Sequence, residues 1–68
     1  MFNQQKERFE EKLIDLLVGL HENTVTNQRI FGFREAMKMI FMEDEMDKIV
    51  NNAATRAEKV IRNLEEME

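Results

Sequence analysis

The sequence predicts an all-α protein of one small domain, and three observations carry that expectation. There is no proline anywhere in the 68 residues, and both glycines sit inside stretches with helical spacing. Apolar residues recur at steps of three and four over most of the chain. Valine, isoleucine and threonine never alternate with polar residues long enough to suggest a strand.

The first helix is expected from about residue 3 to residue 21. Asn3 is a candidate N-cap, since its side-chain oxygen can accept one of the free backbone N–H groups of a helix start. Phe2, Phe9, Leu13, Leu16 and Leu20 share one face at steps of seven, four, three and four. Leu17 widens that stripe, and Ile14 and Val18 begin a second one. His21, Glu22 and Asn23 close the helix, because Asn tolerates the left-handed conformation common just past a helix end.

Residues 22–26 form the expected turn. Thr24, Thr26 and Asn27 can compete for backbone hydrogen bonds there, and either threonine can cap the next helix. A connection this short makes the flanking helices antiparallel neighbours, which gives a helical hairpin.

The second helix is expected over about 27–42, with Ile30, Phe33, Met37 and Ile40 on one face. Phe31, Met39, Phe41 and Met42 spread apolar surface around most of its circumference, as in a helix buried from several sides. The third is expected over about 44–67. There Met46, Val50, Ala53, Ala57, Val60, Leu64 and Met67 step by four and three through three heptads, as in a coiled coil.

Nothing between Gln28 and Leu64 is a strong breaker, so the spacing permits one helix of about 60 Å at 1.5 Å per residue. The acids Glu43, Asp44, Glu45 and Asp47 favour a break just before them, because acids suit the positive end of a new helix. The apolar phase also shifts between Ile40 and Met46. Thr55-Arg56-Ala57-Glu58 matches a capping box, but the heptads run unbroken through Asn51 and Asn52.

Composition narrows the function. Ten basic against fourteen acidic residues give a net charge of −4, which argues against a protein that tracks phosphates. Arg29, Arg34 and Lys38, and later Lys48, Arg56, Lys59 and Arg62, interleave with glutamates as on a solvated face. No segment has the order of a signal peptide, and no apolar run approaches the ~20 residues that span a bilayer. A soluble, cytoplasmic protein with no membrane partner is expected. The absence of cysteine excludes disulfides and thiolate zinc sites.

No catalytic, metal or cofactor site is expected. The chain has no serine and a single histidine, so no nucleophile–base pair is recognisable. His21 reads as a helix-end residue. The acids at 43–47 could in principle ligate a magnesium-type ion. With Glu7 and Glu10 they resemble the paired acidic motifs of all-α nucleotide pyrophosphatases, Asp44 and Asp47 standing where that family has Glu and Asp. Acids that compensate the helix dipole are the preferred reading.

Association is the staple left to a chain this short, whose core alone rarely exceeds roughly 3–5 kcal/mol of net stability. The expected self-association or partner interface comprises Ile30, Gly32, Phe33, Ala36, Met37, Ile40 and Phe41, continuing through Met46, Val50, Ala53, Ala57, Val60 and Leu64. Gly32 and Ala36, four apart, would let another backbone approach closely. Methionine-rich surface adapts to irregular partners, so Met37, Met39, Phe41 and Met42 are candidates for exposed binding surface.

The stretch Arg29-Ile30-Phe31-Gly32-Phe33-Arg34-Glu35-Ala36-Met37 resembles the GF-x-EA helix of small helical proteins from phages and mobile elements of Gram-positive bacteria. The resemblance implies an accessory or regulatory role and transfers no functional residues. The expected function is a self-associating adaptor or regulator that binds itself and a second protein. An acidic inhibitor occupying a nucleic-acid channel, and a magnesium-dependent nucleotide hydrolase, are the alternatives.

Overall fold

The computed structural model describes residues 2–67 and the side chains of residues 4–67. Three helices pack together: α1 Phe2–His21, α2 Asn27–Lys38 and α3 Glu43–Met67. Among the described residues there is no strand. Helix α1 begins at Phe2, so Asn3 lies inside the first turn and not at the cap; its side chain is outside those described.

The loop after α1 forms as its residues dictate. Asn23 adopts φ 63°, the left-handed conformation. The Thr24 and Val25 N–H groups both donate to the Gly19 carbonyl, at 2.8 and 3.2 Å. Val25 then folds so closely over the helix that a Cβ on Gly19 would lie 2.5 Å from its Cγ2. A glycine is required at that position by contact, not by backbone angle. Thr26 caps α2, its Oγ1 accepting from the Arg29 N–H at 3.2 Å.

The expected helix over 27–42 is shorter, and the question of one long helix or two resolves as two. Helix α2 stops at Lys38 and residues 39–42 turn the chain into α3. Met39, Ile40 and Phe41 donate to the Ala36 and Met37 carbonyls, tightening the last turn. The new helix then starts on its acids. Glu43, Asp44 and Glu45 occupy its first turn, where the positive end of the helix dipole favours them. The Met42 N–H donates to Glu45 Oε1 at 3.3 Å, which is the reciprocal half of a capping box. No second break occurs. Helix α3 runs straight through Asn51 and Asn52, and Thr55 Oγ1 donates back to the Asn51 carbonyl at 3.0 Å.

The arrangement is up–down–up, not a simple hairpin with an extension. Lys6 Nζ meets Glu45 Oε2 at 2.8 Å near the starts of α1 and α3. His21 and Leu64 line one cavity near their ends. Helices α1 and α3 therefore run parallel and pack directly on each other, with α2 returning alongside the pair. Arg56 joins the pair midway through an ion pair with Glu10 at 2.6 Å.

The interior has two parts. Leu13, Ile14, Leu16, Ile30, Ala53 and Ala57 form one; Met37, Phe41, Met46 and Ile49 form the other. Phe33 and Val50 pack against both. Phe9 stacks at 5.6 Å on Phe33 and edge-on at 5.1 Å on Phe41, tying α1 to α2 and to the turn. The heptad seam of α3 is thus directed chiefly at α1 of its own chain. The small residues Ala53 and Ala57 allow α1 to approach it closely.

Helix α2 is short. Its twelve residues span about 18 Å at 1.5 Å per residue, against about 38 Å for α3. The whole molecule measures 38 × 23 × 17 Å, so α3 sets its length and α2 covers only half of it.

Candidate interaction surface

The functional question turns on four methionines within ten residues. Met37 is fully buried and Met46 is buried, while Met39 is 89% and Met42 72% exposed. The difference follows from local geometry. Met37 still lies on the inner face of α2, in register with Ile30 and Phe33. Beyond Lys38 the helix ends, and only Phe41 of the next four residues turns inward. Met39, Ile40 and Met42 are left pointing out of the turn, with Ile40 50% exposed. Phe31, on the outer face of α2, is 63% exposed.

Charged groups frame this surface. Lys38 pairs with Glu35 at 2.7 Å. Arg34, Lys38, Glu43 and Asp47 surround a cavity beside the turn, with Phe41 and Met46 in its wall. Glu45 is held below its ordinary carboxyl pKa of 4.5, first by the hydrogen bond from Lys6 and then by the Met42 N–H. It stays ionised and ties the turn to α1.

The interface residues expected from sequence separate into three groups. Ile30, Met37, Phe41, Met46, Ala53 and Ala57 are buried in the chain's own interior and are not available to a partner in this fold. Phe33, Val50 and Leu64 are partly covered. Gly32, Ala36, Ile40 and Val60 are exposed, and a Cβ on Gly32 would meet nothing within 4 Å. Close approach to Gly32 is therefore open, but the Gly32–Ala36 face offers little apolar side chain to cover. Sequence spacing did not single out Ile49 and Ile61. Ile49 is buried and Ile61 is half-buried, so the inner face of α3 is wider than an a/d seam.

A second apolar feature lies at the far end of the molecule. A groove of about 530 Å³ runs between the end of α1 and the C-terminal half of α3. Leu17, Leu20, Ala57 and Ile61 are among its lining, and His21, Glu58, Arg62 and Glu65 edge it. No residue of α2 lines it.

The acids are dispersed into separate structural roles. Asp44 Oδ1 accepts the Glu45 N–H at 3.0 Å, Glu45 holds Lys6, and Glu10 holds Arg56. Among the described residues, no three side chains of the His, Cys, Asp or Glu type converge as metal ligands would. His21 is exposed in the last turn of α1, where a cationic group complements the dipole. No described helix is long and apolar enough to cross a membrane.

No family model, curated protein or solved structure matches this chain.

Proposed function

We propose that the protein is a non-catalytic interaction module that self-associates and serves as an adaptor or regulator of another protein. The observation that carries this reading is the exposure of Met39, Ile40 and Met42 together on one turn, with Phe31 on the adjoining helix. Single exposed apolar residues are ordinary on any surface. Three within four residues, in a chain too small to cover them, form a patch of the kind that marks protein contacts. An accessory role in a phage or mobile element, which the resemblance of residues 29–37 implies, belongs to this reading. So does a cytoplasmic setting, with which the lack of cysteine agrees.

The patch is small, so the association is weak. Contacts that bury less than about 1,200 Å² in total are typically transient. Sedimentation equilibrium from about 1 μM to about 1 mM covers the corresponding range of affinity. The average mass is expected to rise above the 8.2 kDa of one chain as concentration increases. The double variant Met39→Asp, Met42→Asp should remain at one chain. A wild-type mass that stays at one chain over the whole range refutes the proposal.

A further inference from the structure

Arg8, Phe9 and Lys12 of α1 and Phe33 of α2 line a notch of about 220 Å³ on the seam between the two helices. The two phenylalanine rings, 5.6 Å apart and each only half-buried, supply its apolar wall. Arg8 and Lys12 are exposed and stand one turn apart on α1, about 6 Å along its axis. Glu11 and Asp15 each follow one of them at a spacing of three, which lets side chains meet on a helix. Even so, neither cation joins any of the four ion pairs among the described residues. Two cations without a carboxylate partner thus border one apolar opening.

We infer that this notch docks an acidic segment of a partner protein. One apolar side chain of that segment enters against Phe9 and Phe33, and carboxylates on either side of it meet Arg8 and Lys12.

Size and charge select this occupant. At about 220 Å³ the notch is smaller than the roughly 300–1,000 Å³ of small-molecule pockets, so it takes a side chain and not a whole ligand. Both bordering charges are positive in a chain whose net charge is −4. The net charge repels an acidic partner, while the notch attracts it, and that contrast fixes where the partner sits more than how tightly. A nucleic acid has the right sign of charge, but two cations neutralise too few phosphates to hold a strand that the rest of the chain repels. No residue of the Met39–Met42 turn lines the notch. The inference therefore rests on the adaptor half of the proposed function and names the chemistry of the second protein; self-association at the turn does not depend on it.

The probe that tests this is a fluorescein-labelled peptide with one phenylalanine between two pairs of glutamates. Fluorescence anisotropy is read as the full chain is added from about 1 μM to about 1 mM. Saturable binding is expected, and it should be lost when lysines replace the glutamates of the peptide. Arg8→Glu with Lys12→Glu should weaken binding at least about tenfold. Lys48→Glu with Lys59→Glu makes the same change in net charge at exposed positions outside the notch and should weaken it less than about threefold, because distant charges are screened. Far-UV circular dichroism establishes that both variants remain helical. The Met39→Asp, Met42→Asp variant should bind the peptide as wild type does. No binding up to about 1 mM overturns the inference, as do equal losses from the two pairs of charge reversals or a loss in the turn variant. An oligothymidylate bound more tightly than the peptide overturns it in favour of a nucleic acid. Each of these outcomes leaves self-association standing, whereas a wild type that stays at one chain in sedimentation removes self-association and leaves the notch to the peptide titration.

Discussion

Met37 and Met39 are two residues apart and chemically identical, yet the structure assigns them opposite roles, which makes truncation of each a controlled comparison. Met37 is fully buried among Phe41, Met46 and Ile49, with Phe9 and Phe33 packed alongside. Met37→Ala removes three heavy atoms from that cluster and leaves a cavity, a change that costs about 2–5 kcal/mol in well-packed interiors. A chain of this length has roughly 3–5 kcal/mol to lose. The variant should therefore be close to half unfolded at 25 °C, with a melting temperature lower by about 4–8 °C per kcal/mol. Met39→Ala removes the same atoms from a position that is 89% exposed and should stay within about 0.5 kcal/mol of wild type. Urea unfolding followed by circular dichroism measures both, at a protein concentration low enough to exclude association. At high concentration, Met39→Ala should lose the extra stability that binding between folded copies adds by mass action. Equal losses at low concentration, or a loss below about 1 kcal/mol for Met37→Ala, would refute the division of this segment into interior and surface.

The remaining predictions concern the helix ends and the glycines. Gly32→Ala should stabilise the protein by about 0.5–1 kcal/mol through helix propensity, because the added methyl meets nothing within 4 Å. Gly19→Ala should destabilise it, because the added carbon falls 2.5 Å from Val25 Cγ2 and a β-branched side chain has little freedom to move aside; thermal melts read the opposite signs. Thr26→Ala removes the acceptor of the Arg29 N–H and should cost about 1 kcal/mol in the same melts. Glu45 has a lowered carboxyl pKa in the fold, so its contribution is present above the ordinary value of 4.5 and is lost as the pH falls through the lower folded value. Glu45→Gln should flatten that part of the stability–pH curve, and an unchanged acid limb would remove the Lys6 contact from the account.

The helices, the turn at 22–26 and the Thr26 cap were legible in the sequence because each rests on local chemistry. Asn23 takes the left-handed conformation its side chain tolerates, and the acids at 43–45 mark the start of α3. What was not legible was tertiary. The steps of three and four in α3 read equally well as a seam for another chain and as a seam for α1. Only the return of α2, which makes α1 and α3 parallel neighbours, decides that Ala53 and Ala57 serve the chain's own interior. The excess of apolar surface between Ile30 and Met42 could be counted from sequence. Its division between Met37 and Phe41 inside and Met39 and Met42 outside depends on the helix stopping at Lys38, where no residue is a strong breaker. The groove beside Ile61 is lined by α1 and α3 alone and has no signature in any motif.

The methionine methyl groups offer the most direct view of the proposed contact. In protein labelled with ¹³C at those methyls, dilution across the association range should shift the Met39 and Met42 signals while Met37 and Met46 hold still. Signals that are all independent of concentration, or movement confined to the buried pair, would contradict the claim that this turn is the surface through which the protein recognises others.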